Sequence, residues 1–527
     1  MQRKPSASPA APHQGTDAVG YARMYQEHHA RGEHALAAAA LEAALQLRPD
    51  WTDARFNLGA ALIELDRLRD AESAYRRVIE EDPGRMVAYR MLGHVLHRQG
   101  FIAELLDMLQ AARGRHPEDF ALESFELLGL MFSDRVTAEE LFARHRAFGE
   151  RLEAAIPALP PAPQASPPAR LRIGYVSGDF CYHPVGQFVQ PLLHGHDRAA
   201  FSVYCYSSGT RTDALTRALA AQADVWREAA TLSDEQLADA IRSDQIDLLV
   251  DLSGHSGASR LPVFARRPAR AQVAWLGYLH STGLRRIGYR LSDRHADPPG
   301  RAERLHTEAL LRLPHSQWCY RPLVEAPEPG PPPIERARHV TYGSLNQVAK
   351  LSPTCRRLWI EILQRAPQAR LVLQGVPEGT AREGLLGEFG AAGIDQARLS
   401  FEAHVPVQDY FSRIDAIDVA LDTTPYSGGT TTCDTLWMGV PVVTLEGERS
   451  ASRSASSILH TLGLGEWVAR SPQEYVDIAL RAAREPARLA GLRTDLRRRM
   501  LRSPLADEAQ FVRDVEAAYR ACVAGAA

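Results

Sequence analysis

At 527 residues the chain is too long for one hydrophobic core, and about two to four domains are expected. With 24% charged residues, 45% hydrophobic residues and a net charge of −3, it lacks the global basic field of a nucleic-acid binder. It has no apolar run of membrane-span length and no apolar signal stretch near the N-terminus. Its six scattered cysteines form no CxxC pair, so neither a disulfide framework nor a zinc site is expected and a reduced cytoplasm is.

Residues 1–17 read as a disordered tail. Pro49, Pro83 and Pro117 then recur with a period of 34, and the pairs Gly59/Gly93, Leu58/Leu92 and Ala37/Ala71 keep it. Each period reads as two amphipathic helices with small residues where they cross, the tetratricopeptide pattern, over residues 18–51, 52–85 and 86–119. A further helical segment to residue 155 is expected to cap the stack, giving an all-α superhelix over residues 18–155 that binds polypeptides. The proline-rich stretch 156–170 is a semi-rigid linker.

From residue 171 the pattern changes class. LRIGYVSGDF, FSVYCYSS, IDLLVDLSGH and AQVAWLGY are strands alternating with helices, which implies a parallel sheet covered on both faces over residues 171–325. A second proline-rich break follows. A second α/β series then occupies residues 338–527, from HVTYGSLN through RLVLQGV, RLSFEAHV and DVALDT to a helical tail. Two Rossmann-like halves leave a cleft lined by the C-terminal ends of their strands. Neither GxGxxG after the first strand nor a Walker A string is present, which favours a nucleotide-sugar enzyme of the GT-B type over a dehydrogenase or an NTPase.

The most informative string is SGGTTTCDTLWMGVPVV, residues 427–443. Gly428, Gly429, Thr430 and Thr431 stand at the mouth of a helix, where unpaired N–H groups and the dipole attract an anion such as phosphate. A plain capped turn is the alternative. Positive charge is almost all arginine, and the only lysines are Lys4 and Lys350. Lys350 closes the strand–loop YGSLNQVAK, a compact point charge in a chain that uses arginine elsewhere. A solvated surface lysine is the plainer reading.

The motifs GYVSGDFCYHPVGQF, FARRPARAQVAWLGY, SLNQVAKLSP, LDTTPYSGGTTTCDTLWMGVPVVTLEGERSASRSASS and LRSPLADEAQFVRDVEAAYR follow the repeats in that order. Over residues 18–520 the chain resembles the O-linked N-acetylglucosamine transferase family in its bacterial form. The resemblance implies a GT-B fold and inverting transfer of a sugar, GlcNAc first of all, from a UDP-sugar to Ser/Thr hydroxyls of protein acceptors held along the repeats. No nucleic acid, membrane or metal is implied, since no DxD string is present and Lys350 with the helix dipole stands in for a cation. It further implies that Lys350 and Gln347 reach the diphosphate and that Asp434 holds the ribose. Val405 and Val407 would read uracil, Tyr410 would lie beside the nucleoside, and His183 would act as catalytic or acceptor-positioning group. His255 and Asp239 are weaker candidates of that kind, and Gly277 in WLGYLHSTG would line the sugar pocket.

The chain departs from the family pattern in places. Leu279-His280 replace Pro-Gly, Gly429 replaces a common His, and Ser427 replaces a common Asn. The bulk of Tyr426 near the sugar would disfavour an N-acetyl group. UDP-glucose transfer to Asn or Ser/Thr, or a repeat scaffold with an inactive transferase domain, are the alternatives.

Overall fold

The structure, a computed structural model, describes residues 17–160, 170–403 and 405–525, apart from the side chains of Val407 and Gln408. The expected tail before residue 17 and the linker residues 161–169 lie outside the described residues. The chain divides into two compact units: residues up to Leu122 with Val376–Gly387, and Glu123–Gly375 with the chain from Glu388 onward.

In the first unit the 34-residue period becomes helix pairs: Ala18–Ala30 with His34–Leu47, Thr52–Glu64 with Leu68–Glu81, and Met86–Gln99 with Ile102–Arg115. Pro49, Pro83 and Pro117 each fall in the turn after the second helix of a pair, where a missing N–H costs nothing. The small residues sit where helices touch. A Cβ on Gly59 would lie 2.6 Å from the Tyr75 ring, and Ala37 and Ala71 are fully buried.

The second unit holds two parallel sheets. In the first, β1 (Leu171–Ser177), β2 (Phe201–Ser207), β3 (Val225–Glu228), β4 (Leu248–Asp251), β5 (Ala271–Ala274), β6 (Tyr289–Asp293) and β7 (Ala309–Leu313) lie in the order 3-2-1-4-5-6-7. In the second, β8 (Thr341–Ser344), β9 (Arg370–Gln374), β10 (Leu399–Glu402), β11 (Val419–Leu421), β12 (Val442–Leu445) and β13 (Val468–Ala469) lie in the order 10-9-8-11-12-13. Strands β4, β5 and β11 are buried along their whole length, as sheets covered on both faces require. Each order reverses beside the first strand of its sheet, β1 or β8, the place where open α/β sheets as a class bind ligands at the strand ends.

Two helical segments lie elsewhere than the sequence pattern predicts. The helix Ala138–Ala155, expected to cap the repeats, belongs to the unit of the two sheets. A Cβ on its Gly149 would sit 1.9 Å from the Gly283 carbonyl oxygen, so only glycine lets it press on the loop after β5. His145 of this helix bonds the Tyr278 hydroxyl at 2.7 Å, and Glu153 accepts the Arg286 amide at 2.7 Å. The last helix, Glu508–Gly525, grouped by sequence order with the second half, returns to the first sheet. There Glu516 Oε1 meets His196 Nδ1 at 3.0 Å and accepts the Asp197 amide at 2.8 Å. Alternation along a sequence carries no signal for such a crossing.

Candidate active site

Strand β11 delivers Asp422, and this buried carboxylate organises the loop that follows. Its Oδ1 accepts the Gly428 amide at 2.7 Å and the Asn346 side-chain amide at 3.4 Å, and its Oδ2 accepts the Thr444 hydroxyl at 2.6 Å. Burial raises its pKa, while the Thr444 hydroxyl, the Gly428 amide and Lys350 pull the other way. The loop contains a cis Thr424–Pro425 bond and runs into the helix Thr430–Trp437. Gly429 is the N-cap and supplies no side-chain cap, so the first-turn amides face outward without one.

The two glycines have different duties. A Cβ on Gly428 would lie 2.7 Å from Thr432 Oγ1 and 3.1 Å from Asp422 Oδ1, and its N–H is already taken by that carboxylate. The Gly428 amide, expected to meet a phosphate, is thus already engaged by a carboxylate, and the first-turn amides without a side-chain cap are those after it, from Gly429 to Thr431. At Gly429 a Cβ would have only the Trp318 ring nearby, at 3.7 Å.

Lys350 ends a single 3₁₀ turn after β8 and points at this loop. Its ammonium donates to the Ser427 carbonyl at 3.1 Å and to Asn346 Oδ1 at 3.4 Å, and it lies 4.5 Å from the centre of the Tyr426 ring. Burial brings its pKa down to about 8, opposed by Asp422. Tyr426 in turn stacks on Phe132 at 4.9 Å with 11° between the rings. Gln347 is the exposed N-cap of the same turn.

One turn into the helix, Asp434 Oδ1 accepts the Tyr320 hydroxyl at 2.6 Å. The Tyr410 hydroxyl reaches both Asp434 and Thr431. Burial raises Asp434 to about 7, and the two tyrosine hydroxyls act against it. Thus Tyr410, Thr431 and Asp434 form one cluster beside the helix mouth. Val405 is half-buried shortly before the helix Val407–Asp415, and the Val407 side chain lies outside the described residues.

His183 stands apart from these groups, as N-cap of the helix Pro184–Gly195 after β1. Its Nδ1 accepts the Val185 amide at 3.3 Å and lies 3.7 Å from Asp179. A neutral ring whose Nδ1 accepts carries its proton on Nε2, which leaves Nε2 as a donor. Burial lowers its pKa, Asp179 raises it, and Arg211 lowers it again. The same helix reaches the helix mouth through Phe188, whose ring packs 5.0 Å from Trp318. Asp239 lies within the helix Asp234–Ser243, away from these groups.

His255 does not face an open cleft as expected. It is 2% exposed, its Nδ1 bonds Ser124 Oγ at 2.8 Å, and its Nε2 bonds the Thr282 carbonyl at 2.9 Å. Both nitrogens are engaged, which leaves none for a substrate. Gly277 is tightly placed too. A Cβ there would fall 1.8 Å from the Leu252 carbonyl oxygen. The preceding Leu276 holds φ at +72°, which costs a non-glycine residue about 1–3 kcal/mol. The Gly277 amide donates back to the Trp275 carbonyl at 2.9 Å, closing a γ-turn.

Asn346, Asp422, Trp318 and Tyr320 belong to the site and were missed by sequence reading. Asp422 could have been found as an acid at the end of a buried strand, whereas Trp318 and Tyr320, distant in sequence, had no local signal. Among the described residues no group of three His, Cys, Asp or Glu is arranged to hold a metal ion.

Comparison with known proteins places this arrangement. The pattern of glycosyl transferase family 41 matches residues 159–319 and 336–515, and a tetratricopeptide repeat pattern matches residues 28–93. A tomato (Solanum lycopersicum) protein named probable UDP-N-acetylglucosamine–peptide N-acetylglucosaminyltransferase SPINDLY is 36% identical over 402 residues, covering 75% of this chain and 43% of the relative. The Arabidopsis thaliana protein SEC, named as a probable enzyme of the same kind, is 31% identical over 365 residues, 66% of this chain and 37% of its own length. The chain thus spans less than half the length of these curated relatives. A solved structure of a Thermobaculum terrenum O-GlcNAc transferase mutant superposes with a TM-score of 0.88 at 36% identity, covering 97% of this chain and 98% of that one. The two parallel α/β halves form a GT-B fold preceded by tetratricopeptide repeats. With the family pattern matched across both halves, the chain belongs to glycosyl transferase family 41.

Proposed function

We propose that the protein is an inverting glycosyltransferase that moves a sugar from a UDP-sugar to Ser/Thr hydroxyls of protein acceptors. The names of its relatives favour GlcNAc as that sugar. The observation that carries the reading is the Lys350 ammonium held at the Ser427 carbonyl beside a helix mouth without a side-chain cap. As the acceptor hydroxyl gives its proton to water and its oxygen bonds the anomeric carbon, the bond to the diphosphate breaks and negative charge grows on the leaving oxygen. A fixed ammonium and the first-turn amides of Gly429, Thr430 and Thr431 stabilise that charge more in the transition state than in the ground state. They supply the positive charge that a metal would otherwise bring, so the reaction is read as metal-independent.

Gln347 adds a second polar contact to the diphosphate. The Asp434–Tyr410–Tyr320 cluster receives the ribose, and the segment from Val405 to Val407 the base. His183, with its proton on Nε2, orients an oxygen of acceptor or donor. The tetratricopeptide helices present the acceptor polypeptide along their groove. Six free cysteines fit a reducing, cytoplasmic setting.

UDP-glucose is a second reading of the donor, supported by Tyr426, whose ring fills the space beside Lys350. The deciding experiment measures transfer to a peptide library from radiolabelled UDP-GlcNAc, UDP-glucose and UDP-GalNAc, with a GDP-sugar as control for the base. Transfer from none of these donors would reduce the chain to a scaffold.

A further inference from the structure

Tyr426 lies between two partners. One is the Lys350 ammonium, 4.5 Å from the ring centre; the other is the nearly parallel ring of Phe132. Phe132 follows the helix Phe120–Met131, in the turn that leads to the helix Ala138–Ala155. That turn is fastened to the second sheet's half at independent points. Arg449 Nη1 donates to the Ser133 carbonyl at 3.0 Å, and its Nη2 donates to the Val136 carbonyl. Asp134 accepts both the amide and the hydroxyl of Thr354, at 3.0 Å and 2.6 Å. Thr354 lies in the first turn of the helix Pro353–Arg365, which starts three residues after Lys350.

We propose that Phe132 and Tyr426 are positioning residues for Lys350: the helical connector presses Phe132 onto Tyr426, and the Tyr426 face holds the ammonium charged and aimed at the leaving diphosphate. This rests on the diphosphate role given to Lys350 above. A lysine stem has four rotatable carbons and loses considerable rotamer freedom when fixed. The Ser427 carbonyl and Asn346 Oδ1 provide two acceptors, leaving one side of the ammonium to a ring face, whose negative quadrupole attracts a cation. The stacked Phe132 keeps that ring from turning. The Asp422 charge acts on the same ammonium, and the Arg290 charge acts on the Tyr426 hydroxyl. The stack therefore ties a residue outside both sheets to the cation of the donor site.

The composition makes this testable without activity. With only Lys4 and Lys350 in the chain, selective ¹³Cε-lysine labelling gives two NMR signals, and Lys350→Arg assigns them. The Lys350 titration midpoint should fall by up to about one pH unit in Phe132→Leu and Tyr426→Leu, the size a ring–cation contact can supply. Tyr426→Phe, which keeps the ring, should leave it in place. The high-pH limb of turnover should move with the midpoint in each variant. If Phe132→Leu fails to fold, the Tyr426→Leu and Tyr426→Phe pair decides. An unmoved midpoint in the folded leucine variants overturns the inference while leaving the diphosphate role intact. If instead the midpoint moves and turnover ignores it, with Lys350→Ala fully active, the diphosphate role fails and the contact is only structural.

Discussion

The Gly428 amide donates to Asp422 Oδ1 at 2.7 Å, so the loop before the helix Thr430–Trp437 is locked to the end of β11. Gly428→Ala would force a methyl to 2.7 Å from Thr432 Oγ1 and 3.1 Å from Asp422. Overpacking of this kind costs about 1–3 kcal/mol. Calorimetric titration should show UDP binding lost or weakened at least tenfold, with circular dichroism unchanged. Gly429→Ala meets only the Trp318 ring and should be milder.

Lys350→Ala should lower turnover on the order of a hundredfold or more, with a smaller change in UDP affinity, because the charge it meets is greatest in the transition state. Lys350→Arg should not restore full activity, since a planar guanidinium approaches phosphate oxygens differently from a point charge. Steady-state kinetics with UDP titration checks both. Wild-type turnover by Lys350→Ala would remove the diphosphate from this place.

The pH dependence of UDP binding follows from two groups. Lys350 titrates at about 8 and must be charged, so affinity should fall as pH rises through that value. Asp434, raised by burial to about 7, would accept ribose hydroxyls better when ionised, so affinity should rise up to that pH. The sign for stability is opposite in this acid. Its folded pKa lies above the ordinary value, so its contribution to stability is lost as pH rises from about 4 to 7. Asp434→Asn should flatten the acid side of the binding curve, seen by titration at several pH values, and abolish that stability slope. An unchanged acid limb would separate Asp434 from the ribose.

UDP should raise the melting temperature without magnesium, by ordinary linkage, and EDTA should leave the shift intact. Tyr426→Ala should widen tolerance for the donor's N-acetyl group, seen as a rise in the UDP-GlcNAc to UDP-glucose ratio of kcat/KM. A melting shift that vanishes with EDTA would refute the metal-free reading.

Gly149→Ala sets a methyl 1.9 Å from a backbone oxygen, an atom that cannot rotate away. Destabilisation of about 3 kcal/mol or more, the upper end for overpacking, is expected in chemical denaturation. Ala147→Gly in the same helix removes a methyl and should cost about 1 kcal/mol through helix propensity. Similar effects for the two would show that the helix does not rest on Gly283 as described.

The sequence by itself determined the repeats, the two α/β series and the helix mouth, because these depend on local period and turn chemistry. The prolines and Gly59 mark the repeats through contacts within one or two helices. Lys350 stood out through composition, and Gly428–Thr431 through the chemistry of a helix start. Tertiary structure alone decided which amides remain for a ligand, since the Asp422 carboxylate that takes the Gly428 N–H faces it only when β11 and its loop are folded. It also placed His255 in the interior, returned the Glu508–Gly525 helix to the first sheet, and brought Phe132 onto Tyr426 across nearly three hundred residues of chain. Contacts between distant segments are set by how packed faces and buried polar groups find partners, and no periodicity within either segment records them.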